Sequence, residues 1–476
     1  MRKILVLWFF ILIHIGYSAD VPISLFDLSP YSQKTSDWIK PESIDYHQPL
    51  ISDAEQQIQL KKLYDHSFGA ASPWGEKFVM AYLKQNNLYD IEYNLLQKFN
   101  NQRRNTDNLI YRVNFRPYPN EIWQQIKDNM KLEQFKSPSY FQQNRRAIVV
   151  NATIGRDLPT TEPLFYSFTQ PGEGYPFDNL MMTSLQPGQA IYILGKSVDE
   201  AWSLVLADSY INWVKTQDIA PVSTAFIIRW QKQAKSQMLT TIHFNSSIIS
   251  DDHKIATYAY PGALFPMLNR TKDRSLIYFP IRSQNGDAQI ITATIKNQNG
   301  VAVPLPTTPA NFAFMLNALK GNPYGWGNLY FFNDCSAEIN AIYKAFGIWL
   351  PRNSIDQATA YKHISLDHLS PKQRIDYLLK YGKPLFSFVY INGHVFIYIG
   401  KAASPFNKDE IVPMTYQQIW GLSDDQRSMR AVIGKSVFLP LLMSYPQNPN
   451  LSLGASGLII DFVYPYTKSN RLSSAA

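Results

Sequence analysis

Cys335 is the only cysteine among the 476 residues, and its surroundings suit a reactive thiol. It follows Asp334 in the stretch NDCSAEINAIYKAFG, where apolar residues fall at helical spacing: Ile339, Ile342, Tyr343 and Phe346. Asp334 can cap a helix that ends at Gly347, which places Cys335 in its first turn. The unpaired N–H groups and the positive end of the helix dipole favour a thiolate there. These features predict a nucleophile, although single cysteines are more often buried filler.

A nucleophilic cysteine needs a base, and His394 is the best placed of the eight histidines. The runs PLFSFVYI and HVFIYIG are two strand-like segments separated by Asn-Gly, a strong signal for a β-hairpin. His394 opens the second strand, on the face that also carries Phe396 and Tyr398. His363 and His368 lie in a polar stretch and read as exposed. A satisfied core histidine is the alternative for His394, and its pairing with a helix-capping cysteine favours catalysis.

The composition is that of a folded protein of several domains, with 45% hydrophobic and 17% charged residues. The N-terminus MRKILVLWFFILIHIGYSAD predicts a secretory signal peptide over residues 1–19, in preference to a retained membrane anchor. The formal charge is +8, and removal of Arg2 and Lys3 leaves 8 − 2 = +6, which suits an anionic partner such as a cell wall. No dense basic run indicates nucleic-acid binding.

The rest of the chain divides into segments by the periodicity of its apolar residues. Residues 20–145 carry apolar residues at helical spacing, and Asn120 reads as the N-cap of one helix. Residues 146–222 hold short β-rich runs, and their PGQ turn, AWSLVLAD strand and WVKTQDI end resemble bacterial SH3-like domains. Residues 223–305, with AFIIRW, KIATYAY, SLIYFPI and AQIITATIK, predict a second barrel of the same kind. Residues 306–476 contain both chemical motifs.

The last segment resembles a known family. A helix headed by Asp-Cys-Ser, then LPRNSIDQ, then a glycine-histidine-aliphatic strand resembles the NlpC-type cell-wall cysteine peptidases, which are papain-like enzymes. The match covers residues 322–357 and 391–400, and the order of segments is that of the subfamily with two SH3-like domains that cleaves γ-D-glutamyl–diamino acid bonds. The resemblance implies a multidomain α+β fold with a helical N-terminal segment, two SH3-like barrels and a papain-like catalytic domain.

The resemblance also implies a catalytic triad. Cys335 would be the nucleophile and His394 the base. Family members place a third polar residue three positions before a Trp-Gly pair, which in MTYQQIWGL is Gln417. Glutamine can accept a hydrogen bond from the imidazole but offers no negative charge to an imidazolium. Gln418, on the other face of the strand, is the alternative third residue.

Other implied roles concern substrate binding. Tyr324 and Trp326 would line the cleft, with the tyrosine hydroxyl near the nucleophile. Asp334 and Ser336 would hold the amino end of a stem peptide, because a carboxylate suits an ammonium group. Arg352 could clamp a substrate carboxylate or form a structural ion pair, and we favour the ion pair.

The implied function is that of an exported, monomeric peptidoglycan hydrolase of the periplasm or cell wall. It would cleave the γ-D-Glu–diamino acid amide of stem peptides, without a metal or organic cofactor. In the subfamily the first SH3-like domain narrows the cleft, which implies a preference for a free N-terminal L-Ala. We expect the loop 172–178 to form that wall. The alternatives are a non-catalytic wall-binding protein and a thiol amidase or acyltransferase that acts on another amide.

Overall fold

The structure is a computed structural model that describes residues 23–105, 109–137, 140–167, 174–391, 393–424, 428–448, 451 and 461–463. The predicted signal peptide lies outside these residues. Within them, helices and three β-sheets form a mixed, multidomain arrangement, which confirms the predicted α+β fold class. No helix in this described part of the chain is long and apolar enough to span a membrane.

The first hundred described residues are mainly helical. Their elements are β1 (Ile23–Leu25), α1 (Thr35–Trp38), α2 (Asp53–Ser67), α3 (Glu76–Gln85), α4 (Leu88–Arg104) and α5 (Asn120–Asn129). The prediction that Asn120 caps α5 is wrong by one residue. Pro119 occupies the cap position, and the Asn120 side-chain oxygen instead accepts a hydrogen bond from Arg103, 3.0 Å away.

The next unit is a seven-stranded antiparallel sheet. Its strands are β2 (Arg146–Val149), β3 (Thr153–Arg156), β4 (Met181–Leu185), β5 (Ala190–Lys196), β6 (Trp202–Leu206), β7 (Ile211–Lys215) and β8 (Ile219–Pro221). They lie in the order β4-β3-β7-β6-β5-β2-β8. The Trp213 indole donates to the buried Glu92 carboxyl at 2.7 Å, so β7 is tied to α4.

A second seven-stranded sheet repeats this strand order position by position, as β11-β10-β14-β13-β12-β9-β15. It follows helix α6 (Thr224–Ser236). Its strands are β9 (Met238–Thr241), β10 (Ser246–Ser250), β11 (Ala256–Ala259), β12 (Leu264–Arg270), β13 (Arg274–Arg282), β14 (Ala288–Lys296) and β15 (Gly300–Val303).

The prediction of a strand at AFIIRW is wrong, because this stretch forms part of α6. Ser223 caps the helix by accepting from the Phe226 N–H at 3.1 Å. Phe226, Ile227 and Trp230 then fall on one buried face, which is a helical rather than a strand periodicity.

The last unit carries both chemical motifs. Its helices are α7 (Pro309–Leu319), α8 (Cys335–Ala345), α9 (Ser354–Thr359) and α10 (Pro371–Tyr381), and its strands are β16 (Ser387–Ile391), β17 (His394–Ala403), β18 (Ile411–Ser423), β19 (Arg430–Pro440) and β20 (Asp461–Val463). The six-stranded sheet has the order β1-β19-β18-β17-β16-β20. The N-terminal strand β1 therefore completes this sheet, pairing in parallel with β19.

The two faces of β17 separate the core into layers. Val395, Ile397 and Ile399 pack with Cys335 in one cluster, whereas Phe396 and Tyr398 pack in another. This alternation and the antiparallel β16–β17 hairpin confirm the sequence prediction, although Asn392 of the turn lies outside the described residues. The helix α8 therefore lies directly on the strand that His394 opens.

Candidate active site

Cys335 begins α8 as the sequence predicts. Asp334 is the N-cap, and its Oδ1 accepts from the Ala337 N–H at 2.9 Å. The helix ends before Gly347, whose φ of +77° is a left-handed conformation that glycine adopts without strain. Both predicted ends of this helix are confirmed.

Cys335 is buried, with 7% of its surface exposed. Burial raises the pKa of its thiol to about 12, and the charge of Asp334 adds to the rise. The backbone N–H groups of Val395 and Ser336 act in the opposite direction and favour the thiolate. Burial outweighs the effect of the helix N-terminus, so the resting site holds a neutral thiol beside the start of β17.

His394 and Gln417 are hydrogen-bonded. The His394 Nε2 and the Gln417 Oε1 lie 3.0 Å apart, and Gln417 is 1% exposed. Burial lowers the pKa of His394 to about 4, against the opposing effect of the Gln417 hydrogen bond. The imidazole is therefore neutral at pH 7 and can accept a proton.

The tautomer of this imidazole follows from a chain of hydrogen bonds. The Thr415 hydroxyl donates its only hydrogen to the Leu439 carbonyl at 2.5 Å, so it can only accept from the Gln417 amide, whose Nε2 lies 2.8 Å away. The Gln417 oxygen must then face His394, and Nε2 of the imidazole carries the hydrogen. The lone pair is left on Nδ1, the nitrogen that a general base would use.

The neighbouring Gln418 lies elsewhere. Its amide donates to the carbonyls of Asn322 and Pro323, both at 3.2 Å, and to the Glu338 carboxyl at 3.3 Å. Adjacent residues of β18 thus face opposite sides of the sheet. Gln417, and not Gln418, meets the histidine.

Arg352 joins the helix N-terminus to the first sheet. Its guanidinium donates to both oxygens of Asp334 at 3.0 and 2.6 Å, to Ser336 at 2.8 Å, to Asn328 at 2.6 Å and to Thr183 of β4 at 2.7 Å. The side chains of Arg352 and Asp334 are only 11% and 13% exposed. We call these five residues the Arg352 cluster.

The Arg352 cluster already engages Asp334 and Ser336, the two residues predicted to hold the amino end of the substrate. Both carboxylate oxygens of Asp334 are engaged by Arg352, and the Ser336 hydroxyl donates to Asp334 at 3.1 Å while accepting from Arg352. The charge that was expected to hold a substrate ammonium is therefore already paired inside the protein. The ion pair favoured for Arg352 is present.

Three aromatic side chains form a contact between the unit of the first seven-stranded sheet and the last unit near the candidate site. Phe177 makes edge contacts with Trp326 and Trp420, with ring centroids 5.4 and 4.8 Å apart. The ring centroids of Tyr324 and Trp420 are 6.1 Å apart. Burial raises the pKa of Tyr324, and the charge of Asp334 adds to the rise. We call Phe177, Trp326 and Trp420 the aromatic wall. Residues 172 and 173 of the predicted wall loop lie outside the described residues.

Gly327, in the stretch YGWGN, is required by a close approach between two backbone segments. Its φ is +55°, and an added Cβ would lie 2.4 Å from the Met181 carbonyl oxygen of β4. Only glycine permits so close an approach between the loop before α8 and the first sheet. The loop that carries Trp326 is therefore fitted against that sheet.

Some residues around the site were not singled out from the sequence. Thr183 and Asn328 hold Arg352, but neither belongs to a chemical pattern. Glu338 did carry a signal, because a charged residue three positions after Cys335 falls on the buried side of an apolar-periodic helix.

The comparisons with known proteins agree with this architecture. A family model described as an SH3 domain of the SH3b1 type matches residues 163–215. No curated protein matches the chain by sequence. Two of the solved structures that match are an NlpC/P60 endopeptidase from Photobacterium damselae subsp. piscicida and an NlpC/P60 family protein from Bacillus cereus.

The Photobacterium protein is 23% identical, and the match covers 91% of this chain and 97% of that one with a TM-score of 0.77. The Bacillus protein is 15% identical, with coverages of 64% and 97% and a TM-score of 0.42. From the first of these likenesses and the matched domain, we conclude that this chain has an NlpC/P60-like fold with an SH3b1-type domain.

Proposed function

We propose that this protein is a cysteine peptidase that hydrolyses the γ-D-Glu–diamino acid amide of peptidoglycan stem peptides. The observation that carries the proposal is the placement of a lone thiol at the start of α8, against the strand whose first residue is the Gln417-bound His394. The NlpC/P60-like fold supports the choice of a peptidase, since the solved structure with the higher TM-score is an NlpC/P60 endopeptidase. The resemblance of residues 322–357 to cell-wall cysteine peptidases supports the choice of peptidoglycan.

The first half of the reaction forms an acyl-enzyme. As the Cys335 sulfur attacks the amide carbon, its proton passes to Nδ1 of His394. The backbone N–H of Cys335 is a suitable donor to the resulting oxyanion. The carbon–nitrogen bond then breaks, and the imidazolium returns its proton to the departing amine of the diamino acid.

The second half releases the acyl group. His394 removes a proton from water, whose oxygen attacks the thioester carbon. The carbon–sulfur bond breaks, the γ-D-Glu carboxylate leaves and the sulfur recovers its proton. Gln417 holds the imidazole throughout but cannot neutralise it, so the imidazolium is a short-lived species, in keeping with the low pKa of His394.

The aromatic wall supports a narrow cleft that admits small peptides. Tyr324 and Trp326 would contact the peptide, and Asp334 and Ser336 would lie near its free amino end. Since Arg352 already pairs with Asp334, we propose that this cluster offers polar atoms to the amino terminus rather than a free negative charge. Recognition of a free L-Ala would then depend mainly on the space that Phe177 leaves.

The remaining proposals concern organisation and location. We propose an exported, monomeric protein of the periplasm or cell wall, with a signal peptide at 1–19. We also propose a helical N-terminal domain at 20–145, SH3-like domains at 146–222 and 223–305, and a peptidase domain at 306–476. The repeated strand order of the two seven-stranded sheets supports a second SH3-like domain.

The test is mass spectrometry of products from two synthetic peptides, L-Ala-γ-D-Glu-meso-diaminopimelate with a free amino terminus and the same peptide N-acylated. We expect release of diaminopimelate from the free peptide only, and none with Cys335→Ala. Cleavage of both peptides would support the peptidase activity but refute the preference for a free amino terminus. A Cys335→Ala variant as active as the wild type would refute the mechanism, and no cleavage of either peptide would refute the proposed substrate.

A further inference from the structure

A second buried polar network lies on the opposite side of the six-stranded sheet from Gln417. At its centre is Glu338, which is 1% exposed. The Tyr416 hydroxyl donates to one carboxyl oxygen at 2.7 Å, and the Gln418 amide donates to the other at 3.3 Å. Asn333 and Ser436 also interact with this carboxyl. We call these five residues the Glu338 network.

The network connects three elements that each carry part of the candidate site. Glu338 is one turn after Cys335 on α8. Tyr416 and Gln418 flank Gln417 on β18. The Gln418 amide also holds the carbonyls of Asn322 and Pro323, immediately before Tyr324.

We propose that Glu338 is a positioning residue, whose carboxylate form holds α8, β18 and the loop at 322–324 in the arrangement needed for thiol chemistry. Its role in peptide cleavage depends on the proposed function. Its role in setting the reactivity of Cys335 does not, because thiol reactivity can be measured without substrate.

The Glu338 network can adopt a second hydrogen-bonding arrangement when the Glu338 carboxyl is protonated. The Gln418 Oε1 is buried and has no hydrogen-bond partner within the described residues. A carboxylate accepts from the Gln418 amide nitrogen, as observed, whereas a carboxylic acid must itself donate a hydrogen. Rotation of the Gln418 amide would supply that acceptor, and its nitrogen would then leave the carbonyls of Asn322 and Pro323. Protonation of Glu338 thus loosens the loop that ends in Tyr324.

The switch between the two hydrogen-bonding arrangements of Glu338 is expected near neutral pH, where thiol reactivity can be measured. Burial raises the pKa of Glu338 to about 7, and its hydrogen bonds to Tyr416, Ser436, Asn333 and Gln418 lower it from a still higher value. Tyr416 is the titratable group that faces it from β18, and its own pKa is raised by burial. Because the carboxylate is the positioning form, thiol reactivity should rise as the pH increases through this range. The His394 transition, near pH 4, is well separated from it.

The experiment is alkylation of the full-length protein by iodoacetamide, which in a chain with one cysteine reports Cys335 alone. Rates are measured between pH 5.5 and 9, and the rise of about tenfold per pH unit expected for a buried thiol is divided out. The wild type should show a remaining inflection near pH 7. Glu338→Gln should lack it and react more slowly by on the order of tenfold above pH 7.

A second variant covers the case in which Glu338→Gln folds poorly. Tyr416→Phe removes a hydrogen bond that lowers the pKa of Glu338, so it should move the inflection to higher pH. Glu410→Gln, which removes an exposed carboxylate from the same domain, should leave the profile unchanged. A Glu338→Gln profile that matches the wild type, or an inflection that Tyr416→Phe does not move, would overturn the proposal even if the peptide assay succeeds.

Discussion

The two seven-stranded sheets share one strand order but contribute differently to the candidate site. The first places Phe177 against Trp326 and Trp420, and the hydroxyl oxygen of its Thr183 accepts a hydrogen bond from Arg352. It also approaches Gly327 so closely that no other residue fits there.

The second sheet contacts the last unit at the body of α8 and at the loop before it. The Lys344 ammonium donates to the Gly262 carbonyl at 2.9 Å, and Val301 packs in the same core cluster as Cys335. Tyr260 stacks on Phe331 and Phe244 stacks on Phe332, both with ring centroids 4.3 Å apart. These contacts support the loop before Asp334 without adding a polar group to the site. The comparison teaches that strand order alone does not assign a role. The side chains in the turns decide whether a sheet builds a site or supports it.

The largest effect should come from breaking the Arg352 cluster. Arg352→Ala leaves Asp334 as a buried, unpaired charge, which costs about 3–5 kcal/mol of folding free energy. It also frees the N-cap of α8 from the first sheet, and we expect peptide cleavage to fall by on the order of a hundredfold or more. Urea unfolding and steady-state kinetics measure the two effects.

Arg282→Ala is the matched control for that change. Arg282 extends from the second sheet to the carbonyls of Thr216 and Ile219, so it also links two units. It is exposed, and among the described residues it pairs with no buried carboxylate. We expect cleavage to stay close to wild type. Equal losses in the two variants would mean that Arg352 acts as a general link between units and has no special effect at α8.

The next effect should come from the aromatic wall. Phe177 is 6% exposed, and Phe177→Ala opens the space between Trp326 and Trp420. We expect kcat/KM for the free peptide to fall by on the order of tenfold, and the preference over the N-acylated peptide to fall toward one. Phe279→Ala removes the same side chain from the core of the second sheet, where it is 2% exposed. If that variant also abolished the preference, the loss would reflect general loosening.

Local sequence patterns made much of the last unit, which carries both chemical motifs, predictable. The cap at Asp334, the end of α8 at Gly347 and the alternation along β17 each depend on a few consecutive residues, so their signals survive in the sequence. The strand prediction at AFIIRW failed because a short apolar run does not distinguish a strand from a buried helix. The cap at Ser223 was the signal that could have corrected it.

Contacts between distant segments were not predictable in the same way. Nothing local shows that β1, with three residues, pairs with β19 some four hundred positions later. Three partners of Arg352, namely Asp334, Ser336 and Asn328, lie within the stretch that resembles the family, but Thr183 comes from β4, 169 positions away. The effect of burial on the Cys335 thiol also required the fold, because helix position alone favoured the thiolate.

The smallest effect should come from the second sheet. Phe331 and Tyr330, just before the cap of α8, have φ values of +65° and +55°, and such non-glycine conformations cost about 1–3 kcal/mol each. The surrounding contacts must compensate, and the Tyr260 ring supplies one of them. Tyr260→Ala removes a stacked pair worth about 0.5–1.5 kcal/mol beyond its buried area.

Because this support acts through the backbone and not through a group in the cleft, Tyr260→Ala should speed hydrogen exchange of the loop at 326–333. It should change peptide cleavage by no more than about fivefold, since the part of this loss that reaches the site, about 0.5–1 kcal/mol, shifts an equilibrium by about two- to fivefold. Exchange measured by mass spectrometry and kcat on the free peptide give the two values. If cleavage instead fell as far as in Arg352→Ala, the second sheet would be part of the site, and the distinction between the two sheets would be lost.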